Sequence, residues 1–289
     1  MNSKGSLLAA LVGRAPLALY TRFLGRLAAI ELPPPLRPLL LGRFAARLGI
    51  DLEQAELPLD EYASVGEFFA RRLRPGARPV DPAVTSIVSP VDGTVTACGT
   101  VRGSRLLQAK GLDYGVAELL GDAGLAARFE GGVYLTIYLH PRDYHRIHVP
   151  AAGALRSLRR IAGELLPVQH WVVDRVPGLF VRNERVVFEL EAALGSLALV
   201  CVGAAGVGSI TTAVAEGPAS PTVFDPPLAL AKGQELAAFR LGSTVILLAE
   251  AGALRLLSAR GDVLRMGQVV AQGARPPGPL PAAERRERP

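Results

Sequence analysis

The chain is poor in cysteine, in tryptophan and in long apolar runs, and its first fifty residues are almost without acid. Each shortage excludes something. The two cysteines, Cys98 and Cys201, stand far apart without metal-like spacing. That argues against a disulfide framework or a zinc knuckle and fits a reducing cytoplasm. No stretch reaches the ~18 uninterrupted apolar residues of a spanning helix. "LLAALVG" stops at Arg14, too early for a signal-peptide core, although Lys4 supplies the charge such a leader carries. The glycine-rich "VGAAGVGSI" (202–210) lacks the following helix and lysine of a phosphate-binding loop, so tight strand packing explains its glycines more simply.

The missing acid locates the charge. The formal net charge is +6, and residues 1–50 account for all of it: Lys4, Arg14, Arg22, Arg26, Arg37, Arg43 and Arg47 face Glu31 alone. These bases sit among Leu and Ala. Nucleic-acid binders instead spread Lys and Arg along a groove with aromatic platforms, so no nucleic acid is expected and the acidic partner is a phospholipid surface. At about 100° per residue, residues 14–30 place Arg14, Ala18, Thr21, Arg22 and Gly25 on one side, with Arg26 at its edge. Leu17, Leu19, Tyr20, Phe23, Leu24, Leu27 and Ile30 cover the other. Such a helix suits the interface of an anionic membrane. A surface helix packed on its own domain would show the same pattern.

"ELPPPLRP" (31–38) interrupts the helices, because proline removes a donor and fixes φ. Helical patterning resumes in "LLLGRFAARLGI" and in "DEYASVGEFFARRL", where Ser64 and Glu67 have capping-box spacing. From about residue 84 the texture turns to short β-like runs. In "GVYLTIYLH" Val133, Leu135, Ile137 and Leu139 alternate with Tyr134, Thr136, Tyr138 and His140. "KGQELAAF" and "MGQVVAQG" look like related turns, with Gly233 and Gly267 each opening a strand. The expected fold class is α+β: an N-terminal helical membrane-associating region, then a mainly antiparallel barrel- or sandwich-like β core. The expected divisions are 1–78 (amphipathic, helical), 79–272 (catalytic core) and 273–289 (a flexible proline-rich tail).

Three of the four histidines fall in "HPRDYHRIHVP" (140–150). No Cys or Glu stands at ligand spacing and the neighbouring arginines repel a dication, so no metal is expected. Clustered imidazoles beside an apolar strand fit proton transfer instead. "SPVDGTV" (89–95) holds Asp92 in an Asp-Gly pair that is first of all a hairpin signal. "FRLGSTVILLAE" (239–250) breaks a β-like run with glycine and two hydroxyls, which alone would mark a bend. Together the chain offers an acid, a histidine and a serine, each at a turn, and triads are defined by geometry and not by chain order.

"SPVDGTV", "QAKGLDYGVAELLG", "YLHPRDYHRIHVP", "GELLPVQHWVVDRVPGLFVRNERV", "VGAAGVGSI" and "KGQELAAFRLGSTVILL" follow one another in an order that resembles the bacterial phosphatidylserine decarboxylases. The likeness spans roughly residues 60–270. "EGPASPTVFDPP" is shorter and less aromatic than the family pattern. Decarboxylating an amino acid needs an electron sink that no ordinary side chain offers. Lys110 in "AKG" does not make a pyridoxal-phosphate pattern. The resemblance implies a pyruvoyl group made from the protein's own serine. His148, oriented by Asp92, would take the Ser243 proton; the hydroxyl would attack the Gly242 carbonyl; and the chain would divide into 1–242 and 243–289. The pyruvoyl at position 243 would hold phosphatidylserine as a Schiff base, His145 would return a proton to Cα, and Arg142 and Arg146 would meet the lipid phosphate. The enzyme would be a carboxy-lyase yielding phosphatidylethanolamine, peripheral on the cytoplasmic side of the cell membrane, with a higher oligomer left open. The rival reading, a lipoyl-like or phosphocarrier-like β module that binds without catalysis, would use the paired "GQ" turns but has no role for the histidine cluster or for LGST.

Overall fold

The computed structural model describes residues 23, 25–109, 112–204, 210–214, 220–239 and 243–283. The basic face expected at Arg14, Ala18, Thr21 and Arg22, the apolar positions Leu17, Leu19, Tyr20 and Leu24, and Lys110 and Gly242 lie outside them. Among the described residues no helix is long and apolar enough to cross a membrane.

After the prolines, a helix runs over Arg37–Leu48 and ends at Gly49, whose φ of 74° closes it in the left-handed conformation. Leu41 and Ala45 pack with Ile50, Tyr62 and Phe68 in a small core of their own. Ser64 then starts a short helix, Val65–Phe69. Its hydroxyl accepts from Glu67 N at 3.1 Å, while Glu67 Oε2 reaches back to Ala63 N at 2.7 Å. This is the reciprocal bonding that the Ser64/Glu67 spacing announced.

Sixteen strands follow among the described residues. The first group is β1 (Ser86–Val88), β2 (Gly93–Thr100), β3 (Arg105–Ala109), β4 (Leu112–Gly115), β5 (Val133–Leu139) and β6 (Arg146–His148). Next come β7 (Gly153–Ile161), β8 (Arg185–Ala192), β9 (Gly195–Val202), β10 (Ile210–Thr212) and β11 (Thr222–Leu230). The last are β12 (Glu235–Phe239), β13 (Ser243–Ala249), β14 (Leu254–Leu256), β15 (Val263–Leu264) and β16 (Val269–Gly273). An eight-stranded sheet has the order β11-β7-β8-β9-β13-β5-β2-β15. Two three-stranded sheets, β1-β16-β14 and β10-β12-β6, and the β3-β4 ribbon complete the set. The strand pairs are antiparallel, so the fold is α+β. The barrel half of the expectation is corrected: the large sheet is open, ending at edge strands β11 and β15.

Strand alternation decides what each face of that sheet meets. Leu135, Ile137 and Leu139 join Val245, Leu247, Ile147, Phe239 and Val270 in one core. Tyr134 and Tyr138 join Ile246, Leu248 and the helices around Leu119, Val172 and Phe180 in the other. Each fully buried large apolar side chain contributes about 1.5–3 kcal/mol, so a one-residue slip of β5 or β13 would exchange two packed faces at once.

The two "GQ" turns are structural twins. Gln234 Oε1 accepts from Ala231 N and Gln268 Oε1 from Arg265 N, at 3.0 and 3.2 Å. Gly233 and Gly267 have φ of 77° and 89°. A Cβ on Gly233 would meet Val80 Cγ2 at 2.8 Å, and one on Gly267 the Pro79 carbonyl oxygen at 2.3 Å. Both turns thus seat on the same dipeptide. Asp92-Gly93, in contrast, is no hairpin: it opens β2, and Gly93 is small because the Tyr138 carbonyl passes where a Cβ would stand, at 2.5 Å.

Candidate active site

The histidine-rich segment reverses direct from β5. His140 N donates to Asp143 Oδ2 at 2.7 Å and Asp143 N to the His140 carbonyl at 2.9 Å, with Pro141 presetting the turn. This fold-back begins directly after the end of β5, where Leu139 pairs with Ser243. Beyond His145 the chain enters β6, which pairs with β12 through Arg146↔Ala238, Ile147↔Ala237 and His148↔Glu235. Phe239 N then donates to the His145 carbonyl at 2.9 Å. The chain on either side of residues 240–242 is therefore anchored: upstream in the small sheet at His145, downstream in the large sheet opposite Leu139.

Ser243 is fully buried, and its Oγ has no hydrogen-bond partner among the described residues. A buried hydroxyl left unpaired costs about 1–3 kcal/mol; the Thr136 and Thr244 hydroxyls share that state, and Ser243 differs from them in standing at the first residue of β13. Thr244, next along, pairs with both Tyr138 and Val202 in the register of β13.

His145 is fully buried and tilted against the Phe69 ring, centroids 4.1 Å apart. Its Nδ1 lies 2.9 Å from the Asp143 carbonyl, which can only accept, so Nδ1 carries the proton. Its Nε2 is an acceptor without a partner among the described residues. Burial pushes the imidazole down to about 3, the Asp143 bond opposes this, and the Arg71 charge adds to it. His145 is thus neutral near pH 7.

His148 is held by Gly233 and Tyr144. Nδ1 donates to the Gly233 carbonyl at 2.9 Å and Nε2 accepts from the Tyr144 hydroxyl at 3.0 Å. Burial lowers its pKa, with the Gly233 bond opposing, so it too stands as a neutral base. The expected hydrogen bond from Asp92 to His148 is absent. Arg78 takes the carboxylate with Nε at 2.9 Å from Oδ1 and Nη2 at 2.5 Å from Oδ2, and Met266 N donates to Oδ1 at 2.8 Å. Asp92 remains a nearby negative charge for His148, not its tether.

The two arginines expected at the phosphate differ. Arg142 has a side chain 58% exposed, only 3.9 Å from Asp143 Oδ1, and stays open to a ligand. Arg146 is committed to Glu235 Oε1 at 2.5 Å and to the Ala70 carbonyl at 2.9 Å. Sequence reasoning missed Arg71, Arg78 and Tyr144. Arg78 lay in the proline-rich "RPGARPVDP", which carries no chemical signature, and Arg71 in the helical pattern of "DEYASVGEFFARRL". Tyr144 stands four before His148, a spacing that means contact only once the backbone is known. Among the described residues no cluster of three or more His, Cys, Asp or Glu side chains could hold a metal.

A family model described as phosphatidylserine decarboxylase matches residues 65–272, from the short helix bearing Phe69 to the end of β16. The chain belongs to the phosphatidylserine decarboxylase family. It is 46% identical to a phosphatidylserine decarboxylase proenzyme of Anaeromyxobacter sp. (strain K), over 86% of this chain and 92% of the relative. It is 42% identical to the proenzyme of Brevibacillus brevis, over 92% and 97%. To that of Bordetella avium it is 41% identical, over 94% and 96%. These relatives carry "proenzyme" in their names, and the family residues of this chain include every site side chain described above.

Proposed function

We propose that the chain is a phosphatidylserine decarboxylase that cuts itself between Gly242 and Ser243, converts Ser243 into a pyruvoyl group, and forms phosphatidylethanolamine and CO2. The observation that carries this reading is Ser243: a buried, unpaired hydroxyl at the first residue of a doubly paired strand, where the chain crosses between two sheets. The family membership favours it over the non-catalytic binding module.

His148 is the base. It is neutral, and its proton-accepting Nε2 holds the Tyr144 hydroxyl; since Ser243 Oγ is bonded to neither group, His148 must release that hydroxyl to take the Ser243 proton. The Ser243 oxygen attacks the Gly242 carbonyl carbon, the peptide C–N bond breaks and the residue 243 nitrogen gains the proton. Loss of the Ser243 Cα proton then breaks the Cβ–O bond and frees Gly242 as a carboxylate. Hydrolysis of what remains at position 243 releases ammonia. The ketone left there supplies the electron sink that amino-acid decarboxylation requires. The unpaired Ser243 Oγ and the neutral imidazoles suit its formation, and no metal is invoked. Asp92 contributes negative charge behind His148, which favours the imidazolium as it forms. His145 offers an empty Nε2 that can receive and return a proton but holds none in advance near pH 7. Arg142 and Arg146 remain candidates for an approaching headgroup, Arg146 only by leaving Glu235.

Membrane attachment is peripheral in this reading, on the cytoplasmic side of the cell membrane. Phe23, Leu27, Ile30, Leu36, Leu39 and Leu40 are all exposed, a run of large apolar side chains along the N-terminal part. The chain divisions 1–78, 79–272 and 273–289 stand as part of the same proposal. A denaturing gel and the intact mass of the small chain test it. The expected result is two chains, 1–242 and 243–289, the latter blocked by pyruvoyl, with Ser243→Ala remaining as one uncut inactive chain. Cleavage at this bond in Ser243→Ala would end the proposal.

A further inference from the structure

Arg71 is a buried guanidinium with no ion-pair partner among the described residues. It is 4% exposed, directly after the short helix, with its carbon 5.4 Å from the centroid of the Phe68 ring. Only Nη2 is used: it donates to the Arg142 and Asp143 carbonyls at 3.2 and 3.4 Å. Nε and Nη1 have no partner among the described residues, and both are sealed from solvent. The nearby acids are taken: Asp92 by Arg78, and Asp143 by its own turn. Holding a cation out of water without an ion-pair partner costs several kcal/mol, which the two carbonyl bonds and the Phe68 ring offset only in part.

Its position gives that cost a purpose. Arg71 Nη2 and His145 Nδ1 share one acceptor, the Asp143 carbonyl, so the guanidinium and the imidazole are neighbours. His145 stands by the turn that follows Leu139, the partner of Ser243. Arg71, His145 Nε2 and Ser243 Oγ, buried and unsatisfied like the Thr244 hydroxyl beside Ser243, thus attach to one turn and the strand beside it. Nε–H and Nη1–H, on different sides of the guanidinium, are thus two sealed charged donors that an oxyanion could accept from.

We infer that Arg71 is the receptor for the phosphodiester of the lipid headgroup, an inference that rests on the decarboxylase reading above. The substrate offers two oxyanions. The carboxylate loses its charge as CO2 departs, so a guanidinium bound to it would hold the reactant more tightly than the transition state. The phosphodiester keeps its charge throughout, and gripping it orients the headgroup without opposing the reaction. Arg71 is in this respect better placed than Arg146, already ion-paired, and less hydrated than the exposed Arg142.

The test is binding, read apart from turnover, on processed protein whose small chain has been weighed. Glycerophosphoglycerol serves as a phosphodiester probe and 3-methoxypropanoate as a carboxylate probe, neither having an amine for a ketone to capture. Arg71→Gln should weaken glycerophosphoglycerol about 10- to 100-fold and leave 3-methoxypropanoate unchanged, with Arg71→Lys between. If Arg71→Gln is too unstable to process, Arg71→Lys carries the same comparison, since it keeps the charge and loses the separate Nε and Nη1 donors. Unchanged phosphodiester binding in either folded variant, no such binding by the parent protein, or a loss confined to the carboxylate probe overturns the inference. A parent chain that never cuts itself sinks the decarboxylase reading instead, and the probe measurements still decide the role of Arg71.

Discussion

Removing Arg78 while keeping Asp92 isolates the most heavily bonded charge in the site. The Arg78 and Asp92 side chains are 10% and 9% exposed, and the carboxylate accepts from both Nε and Nη2 of the guanidinium. Arg78 Nη1 also donates to Gln54 Oε1 at 2.7 Å, tying the pair to the helical part. Arg78→Met strips a buried carboxylate of its counter-ion and leaves it only the Met266 amide. Breaking such a pair on one side costs about 3–5 kcal/mol. Arg78→Met/Asp92→Asn removes both charges and keeps an acceptor for Met266 N, so most of that loss should return and the double variant should lie within about 2 kcal/mol of its parent. Denaturant midpoints decide this, measured in a Ser243→Ala background so that every sample is one uncut chain. With Ser243 restored, the double variant should remain uncut despite its recovered stability, because the charge behind His148 is gone. A single variant within 1 kcal/mol of its parent, or a double variant that processes normally, refutes the reasoning.

Two further outcomes follow from the same contacts. Burial holds the His145 pKa at about 3, below its ordinary 6.5, so the stabilising neutral form is fully present above pH 6.5 and is lost as pH falls toward 3. Over that window His145 should make stability fall by up to about 1.4 kcal/mol per pH unit. His145→Gln should flatten the dependence measured between pH 7 and 4.5 in the Ser243→Ala background, and equal slopes would deny the burial effect. Deleting residues 1–30 should weaken sedimentation with phosphatidylglycerol vesicles, more so at low salt, and leave the denaturant midpoint unchanged. A cut at residue 50 would be uninformative, because it removes Leu41, Ala45 and Ile50 from the core they form with Tyr62 and Phe68. Undiminished vesicle binding by the 1–30 deletion would refute the role of this segment as an anchor.

Local chemistry was what the sequence displayed most clearly. Ser64 and Glu67 announced a helix start, "KGQ" and "MGQ" announced twin turns, and the alternation in 133–140 assigned each side chain of β5 to its face. In each case the determinant lies within eight residues of its effect. The open sheet was hidden because closure depends on which strands become edges, and β11 and β15 carry no local mark of that. Asp92-Gly93 misled because glycine serves both turns and close approaches, and only the Tyr138 carbonyl across the sheet distinguishes them. The site shows the same division. Its histidines, acid and serine stood out by residue type, whereas Arg71, Arg78 and Tyr144 act through partners that only the folded backbone brings near.

The placement of the proposed cut would let the chain divide itself and keep its fold. Phe239 is fixed through β12 and the His145 carbonyl, and Ser243 through β5. Neither anchor passes through residues 240–242. Downstream, β13 is fully buried and paired on both sides, β15 pairs with β2, and β16 with β1. Ala274 N and Gly278 N donate to the Ala253 and Ala193 carbonyls. The small chain would therefore retain three separate seams to the large one after the cut. Cutting within β13 would instead expose apolar side chains of both cores and break ladder bonds on two sides. A bond at the crossing between two sheets is thus one whose loss costs the fold little, and it leaves position 243 at the head of a strand that cannot drift from the histidines.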